Sequence, residues 1–90
     1  MEITDIRIRK LTDESKMRAI VSVTLNDELV IHDIKIIQGL DKMFLAMPSR
    51  HLPNGNFSDI VHPTKKELRD KIEAAVLSEY ENYLQGQINL

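Results

Sequence analysis

The hydrophobic period of this chain changes once, and that change sets its class of fold. Over residues 3–11 and 17–25 apolar side chains recur with a period of two, and residues 28–37 are a near-continuous β-branched run. From Lys65 to about Leu84 apolar side chains recur at helical spacing, with no Gly or Pro in the interval. The two regimes are separated by a His62-Pro63 dipeptide, and a residue before proline is biased away from helical backbone. The chain therefore reads as strands first and one long helix last.

Ile6 and Ile8 alternate with Arg7 and Arg9 in the first strand. After a polar break at Thr12–Ser15, Met17, Ala19, Val21, Val23 and Leu25 alternate with Arg18, Ile20, Ser22 and Thr24. Asn26-Asp27 supplies a tight turn. Residues 28–37, ELVIHDIKII, form a third strand whose apolar run implies burial on both faces, in a central strand or at a dimer contact. A turn around Gly39 leads to a short strand at Met43–Met47, which Pro48 ends. Phe57–Val61 is a short fifth strand.

Thr64 stands three residues before Glu67, the spacing of a capping box. Leu68, Ile72, Ala75, Val76, Glu79 and Tyr83 share one helical face, and Gly86 is the expected stop. Short links make the strands antiparallel. The expectation is an α+β fold: a five-stranded antiparallel sheet with the C-terminal helix packed on it. Residues 1–90 make one domain, with about 85–90 as a frayed tail. One helix covers only part of such a sheet, so the uncovered part is a candidate dimer surface.

Cysteine is absent, which removes disulfides, thiolate metal sites and cysteine nucleophiles and fits a reducing cytoplasm. No segment has signal-peptide or membrane-spanning character, so no membrane partner is expected. His32, His51 and His62 show no i,i+3 or i,i+4 pairing, which argues for structural or titrating roles over metal ligation. Asp59 reads as a structural support for the loop or for His62. Neither a phosphate-binding glycine loop nor a nucleophile–base constellation is visible. No enzyme activity, cofactor or metal is expected.

Twelve Lys and Arg against fourteen Asp and Glu give a net charge of −2. That balance opposes indiscriminate nucleic-acid binding, so the placement of the cations decides. Lys65, Lys66, Arg69 and Lys71 crowd the first helical turns, whereas Glu73, Glu79 and Glu81 follow later, against the helix dipole. A phosphate partner at the helix start would offset that cost. The simpler account is a solvated face with Glu67–Lys71 and Arg69–Glu73 pairs. Arg50 and His51 precede Pro53-Asn54-Gly55, a tight tip that projects them, and Arg50 suits phosphate or guanine contact as well as it suits a surface salt bridge. Arg7, Arg9 and Arg18 share the outer face of the first hairpin, where near-balance with Glu2, Asp5, Asp13 and Glu14 favours a solvated sheet face over an auxiliary phosphate surface. Aromatic content of 4% argues against a stacking platform for single-stranded bases, so Phe44 and Phe57 read as core, and Tyr80 and Tyr83 as helix packing or interface.

The segments MEITDIRIRK, MRAIVSVTLNDELVIHDIKII, FLAMPSR, PNGNFSDIVHP and AVLSEY together resemble the stage V sporulation protein G (SpoVG) family, the septation regulators of bacteria. The resemblance implies a small cytoplasmic homodimer that binds DNA and RNA and acts in septation, sporulation or virulence control. It also places nucleic-acid contact on the loop pair and the helix start. Arg50 falls on the basic loop position, and His51 where relatives often carry a second Lys or Arg. Lys65, Lys66 and Arg69 fall in a segment that differs among relatives and would tune sequence preference. The competing expectation is a protein-interaction module in cell division, binding through the third strand or the helix without touching nucleic acid.

Overall fold

The computed structural model describes residues 1–12 and 15–88. Residues 13, 14, 89 and 90, and with them the middle of the Thr12–Ser15 break and the end of the expected frayed tail, lie outside the described residues. Strands β1 (Ile3–Leu11), β2 (Met17–Leu25), β3 (Leu29–Gln38) and β4 (Met43–Ala46) form one antiparallel sheet in chain order. Strands β5 (Ser49–His51) and β6 (Phe57–Asp59) form a separate two-stranded ribbon. Helix α1 (Lys66–Ile88) follows.

The fold is thus α+β with an antiparallel sheet and one C-terminal helix, but the main sheet has four strands, not five. Residues 49–51, expected as loop, are the reason. They pair with 57–59 in the register Ser49↔Asp59, Arg50↔Ser58, His51↔Phe57. Pro48 cannot donate to a ladder, which ends β4, and its carbonyl accepts the Ile60 N–H at 2.7 Å to close the ribbon's base.

Turn chemistry fixes the registers. Asn26 and Asp27 have φ of 53° and 55°, and the Glu28 N–H donates to Leu25 O at 3.0 Å, the geometry of a hairpin turn with two left-handed residues. The N-terminus is tied to this turn, since Asn26 Oδ1 accepts from Glu2 N–H at 2.8 Å and Thr4 Oγ1 from Asp27 N–H at 2.9 Å. In β3, Ser22 of the neighbouring strand faces both His32 and Asp33, and Asp33 takes φ 63°. That bulge resets the alternation, so Ile31, Ile34 and Ile36 all reach the core while His32 and Asp33 are exposed. Within one copy β3 is therefore buried on one face, rather than on the two expected of a central strand.

Cross-strand partners share a face. Ile6, Ile8, Val21, Val23, Ile34, Ile36 and Leu45 lie on the helix side. Helix residues Ile72, Val76 and Tyr80 are buried against them, flanked by Leu68 and Leu84. This stripe repeats every fourth residue, so it winds about the helix, which crosses the sheet obliquely and touches both β1 and β4. The winding puts Tyr80 inside and leaves Tyr83 at 42% exposure. The helix begins with Lys65 O accepting from Arg69 N–H at 3.2 Å, so Lys65 holds the cap position, and among the described residues no Thr64–Glu67 capping box forms. It also runs through Gly86 to Ile88.

The opposite sheet face carries no helix. Lys10, Ile20, Lys35 and Ala46 form one row across all four strands, with Ile37 and Phe44 paired beside it. Phe44 is 40% exposed there, so it is not core. On the same face Arg9 Nε donates to Ser22 Oγ at 3.2 Å, and Ser22 Oγ lies 2.8 Å from His32 Nδ1. This chain satisfies the single buried polar side chain among the described residues, Ser22.

Candidate nucleic-acid interface

The ribbon is built around one turn. Pro53 and Asn54 occupy its centre, Gly55 N–H donates to Leu52 O at 3.0 Å, and Leu52 N–H donates to Asn56 O at 2.7 Å. Gly55 has φ +90°, and Asn54 Oδ1 accepts the Asn56 N–H at 3.0 Å. A Cβ on Gly55 would meet nothing within 4 Å, so a side chain there is opposed by backbone conformation alone. Gly55→Ala should cost the ribbon about 1 kcal/mol. Hydrogen exchange would show this as roughly fivefold faster exchange at the Leu52 and Ile60 amides, with the β2 amides unchanged. Unchanged exchange at Leu52 would mean that the turn does not depend on a left-handed residue.

Period-two alternation separates the two loop residues of interest. Arg50 shares a ribbon face with Ser58, whereas His51 and Phe57 share the other with Ser49 and Asp59. The His51 and Phe57 ring centroids are 4.9 Å apart with the planes tilted by 52°. Phe57 is nonetheless 71% exposed. The expectation of a core phenylalanine fails because a three-residue strand outside the main sheet has no layer to bury it.

Phe57, Ser58, Asp59, His62 and Arg69 line one open groove of about 450 Å³ between the ribbon and the start of α1. The expected site residues do not all gather there. Lys65, four residues before Arg69, lines a second depression of about 210 Å³ with Met1, Glu67, Leu68 and Lys71. Lys66 Nζ donates to Asp70 Oδ2 at 2.7 Å, and that hydrogen bond, with the carboxylate's charge, raises the Lys66 pKa. Its charge is therefore locally compensated. The expected Glu67–Lys71 and Arg69–Glu73 pairs give way to this Lys66–Asp70 pair. Lys71 reaches back to Glu2 at 3.7 Å and to the Met1 carbonyl at 3.1 Å, while Glu73 approaches the Leu45 N–H at 3.5 Å on the edge of β4. Arg50, Lys65 and Arg69 are exposed and, among the described residues, in no ion pair.

The auxiliary face divides. Arg7 pairs with Asp5 at 2.9 Å, a hydrogen bond that raises its pKa, helped by the carboxylate's charge. Arg9 binds Ser22. A register shift between Met17 and Ala19 turns Arg18 to the helix side, where it lines a cleft with Leu11, Tyr80 and Leu84. Asp59 faces the groove beside His62. Among the described residues no group of three or more His, Cys, Asp or Glu is placed to hold a metal, and no helix is long and apolar enough to cross a membrane.

What the fold and this region define is a small two-layer protein that carries an exposed aromatic and basic ribbon beside a helix start. The family model for SpoVG matches residues 1–82. A protein of Clostridium acetobutylicum named "Putative septation protein SpoVG" is 58% identical over 81 residues, covering 90% of this chain and 85% of its own length. A protein of the same name from Caldanaerobacter subterraneus is 51% identical over 89 residues, covering 99% of this chain and 98% of its own. The chain belongs to the SpoVG family.

Proposed function

We propose that this chain is a nucleic-acid-binding regulatory protein of septation or sporulation, acting in the cytoplasm as a homodimer. The observation that carries the reading is the groove between ribbon and helix, where Arg69 and His62 stand opposite Phe57. Arg50 on the reverse of the ribbon and Lys65 at the helix cap extend the positive surface on either side. Phosphate contact needs such exposed cations, and those tied to local carboxylates contribute less. A dimer would carry two copies of this modest patch. The uncovered sheet face, with Ile20, Ile37 and Phe44, offers apolar surface for the second copy. The family's septation names fit a regulatory role.

Binding of DNA and RNA should weaken steeply as salt rises, with log K falling linearly in log[salt] by about 0.9 per phosphate contact on duplex and about 0.7 on single strands. Affinity that ignores salt would overturn the reading. The same apolar face favours a second reading, a protein-interaction module in cell division. Capture from lysate with and without nuclease separates them. A protein partner that survives nuclease, together with no measurable nucleic-acid binding, would support the second reading.

A further inference from the structure

We infer that Phe57, backed by His51, is a stacking platform for an unpaired base, so that the groove takes single-stranded DNA or RNA in preference to duplex. This rests on the nucleic-acid reading and names the form of nucleic acid that the same site binds. Leaving a phenylalanine ring 71% exposed forgoes the burial that stabilises such side chains elsewhere. His51 touches the ring at a 52° tilt and restrains it, while most of the ring stays open to solvent. Positioned aromatic rings bearing on solvent beside cations are the recurring element of single-strand recognition.

The surroundings fit that occupant. The groove of about 450 Å³ is bounded on the helix side by Arg69 and His62, which can hold the phosphate flanking a stacked base. Asp59, on the Phe57 face of the ribbon, repels phosphate from the groove itself and can accept a hydrogen bond from a base amino group. In a duplex the flat faces of the bases are covered by their neighbours, so the ring would gain nothing there. An apolar protein partner would gain from Phe57 but would leave Arg69, His62 and Asp59 to be desolvated.

The test uses the full chain and three labelled probes: a strand of about 12 nucleotides, its duplex, and an abasic strand of equal length. The wild-type protein should bind the normal strand roughly tenfold or more tightly than the abasic one. Phe57→Ala should erase that difference while retaining the salt slope. Phe57→Trp should retain the difference, and because the chain has no tryptophan its indole emission should be quenched as the strand is titrated in. Equal wild-type affinity for normal and abasic strands, or absent quenching, would overturn the stacking platform and leave the phosphate reading intact. Wild-type binding to none of the three probes would overturn both. Phe57→Ala that dissociates the oligomer in sedimentation, with binding lost in proportion, would assign the ring to a self-contact and overturn the platform. Phe57 lies outside the core, so circular dichroism should show both variants folded.

Discussion

Ile72→Ala is expected to lower the free energy of unfolding by about 2–5 kcal/mol, the cost of removing most of a fully buried aliphatic side chain and leaving a cavity. Ile72 is 1% exposed and sits in the stripe Leu68–Ile72–Val76–Tyr80–Leu84, the helix's apolar face on the sheet. The same core holds wholly buried sheet side chains such as Val21, Val23 and Ile34. A small domain is held by only about 5–15 kcal/mol, so one such loss is a large share of the total. At about 4–8 °C per kcal/mol, the midpoint of thermal unfolding should fall by on the order of 10–40 °C. Glu79→Ala, on the same helix but exposed, should move stability by no more than about 0.5 kcal/mol. A loss below about 1 kcal/mol for Ile72→Ala, measured by denaturant titration, would mean that the helix is not firmly docked.

The strand half of the molecule was legible because period two and turn residues agree. Ala19, Val21, Val23 and Leu25 are all buried, and Asn26-Asp27 takes the two left-handed residues that its turn needs. In the β2–β3 ladder, bulges defeat the simple alternation at two points. One turns Arg18 away from Arg7 and Arg9, and the other lets Ile31 and Ile34 reach the same face. No sequence pattern announces such a bulge when the residue in the left-handed region is Asp33 rather than glycine. The helix is legible as an element, but it overruns the expected stop at Gly86, and its winding face buries Tyr80 rather than Tyr83.

The candidate site was legible as a set of cations and not as a surface. Arg50, Lys65 and Arg69 are exposed, as expected. The ribbon itself was hidden, because three residues are too few to show a period and Pro48 and Pro53 read as breakers around them. Without the ribbon, Arg50 and His51 look like one basic pair, whereas alternation places them on opposite faces. Phe57 was missed for the same reason. The one available signal was its setting among Asn56, Ser58 and Asp59, polar neighbours that do not frame a buried strand.

Combined replacement of Arg50, Lys65 and Arg69 by alanine should weaken duplex binding at 0.1 M salt by roughly 10²–10³-fold, if each contacts a phosphate. The estimate follows from counterion release, in which each contact contributes about 0.9 to the salt slope. The slope itself should fall by about 2–3, and the wild-type and variant lines should converge as salt approaches about 1 M. Convergence is the informative part. A variant that had lost its fold would be weaker at every salt concentration, whereas removal of phosphate contacts leaves the salt-independent share untouched. All three side chains are exposed, so thermal unfolding should barely change. An unchanged slope would exclude this surface as the phosphate contact and move attention to Lys10 and Lys35 on the uncovered sheet face. Arg7 and Arg9 on that face are already engaged, by Asp5 and Ser22 respectively, so a shift there would have to break contacts that the folded chain makes within itself. The ribbon and helix cap require no such exchange, which is the physical ground for placing the interface there.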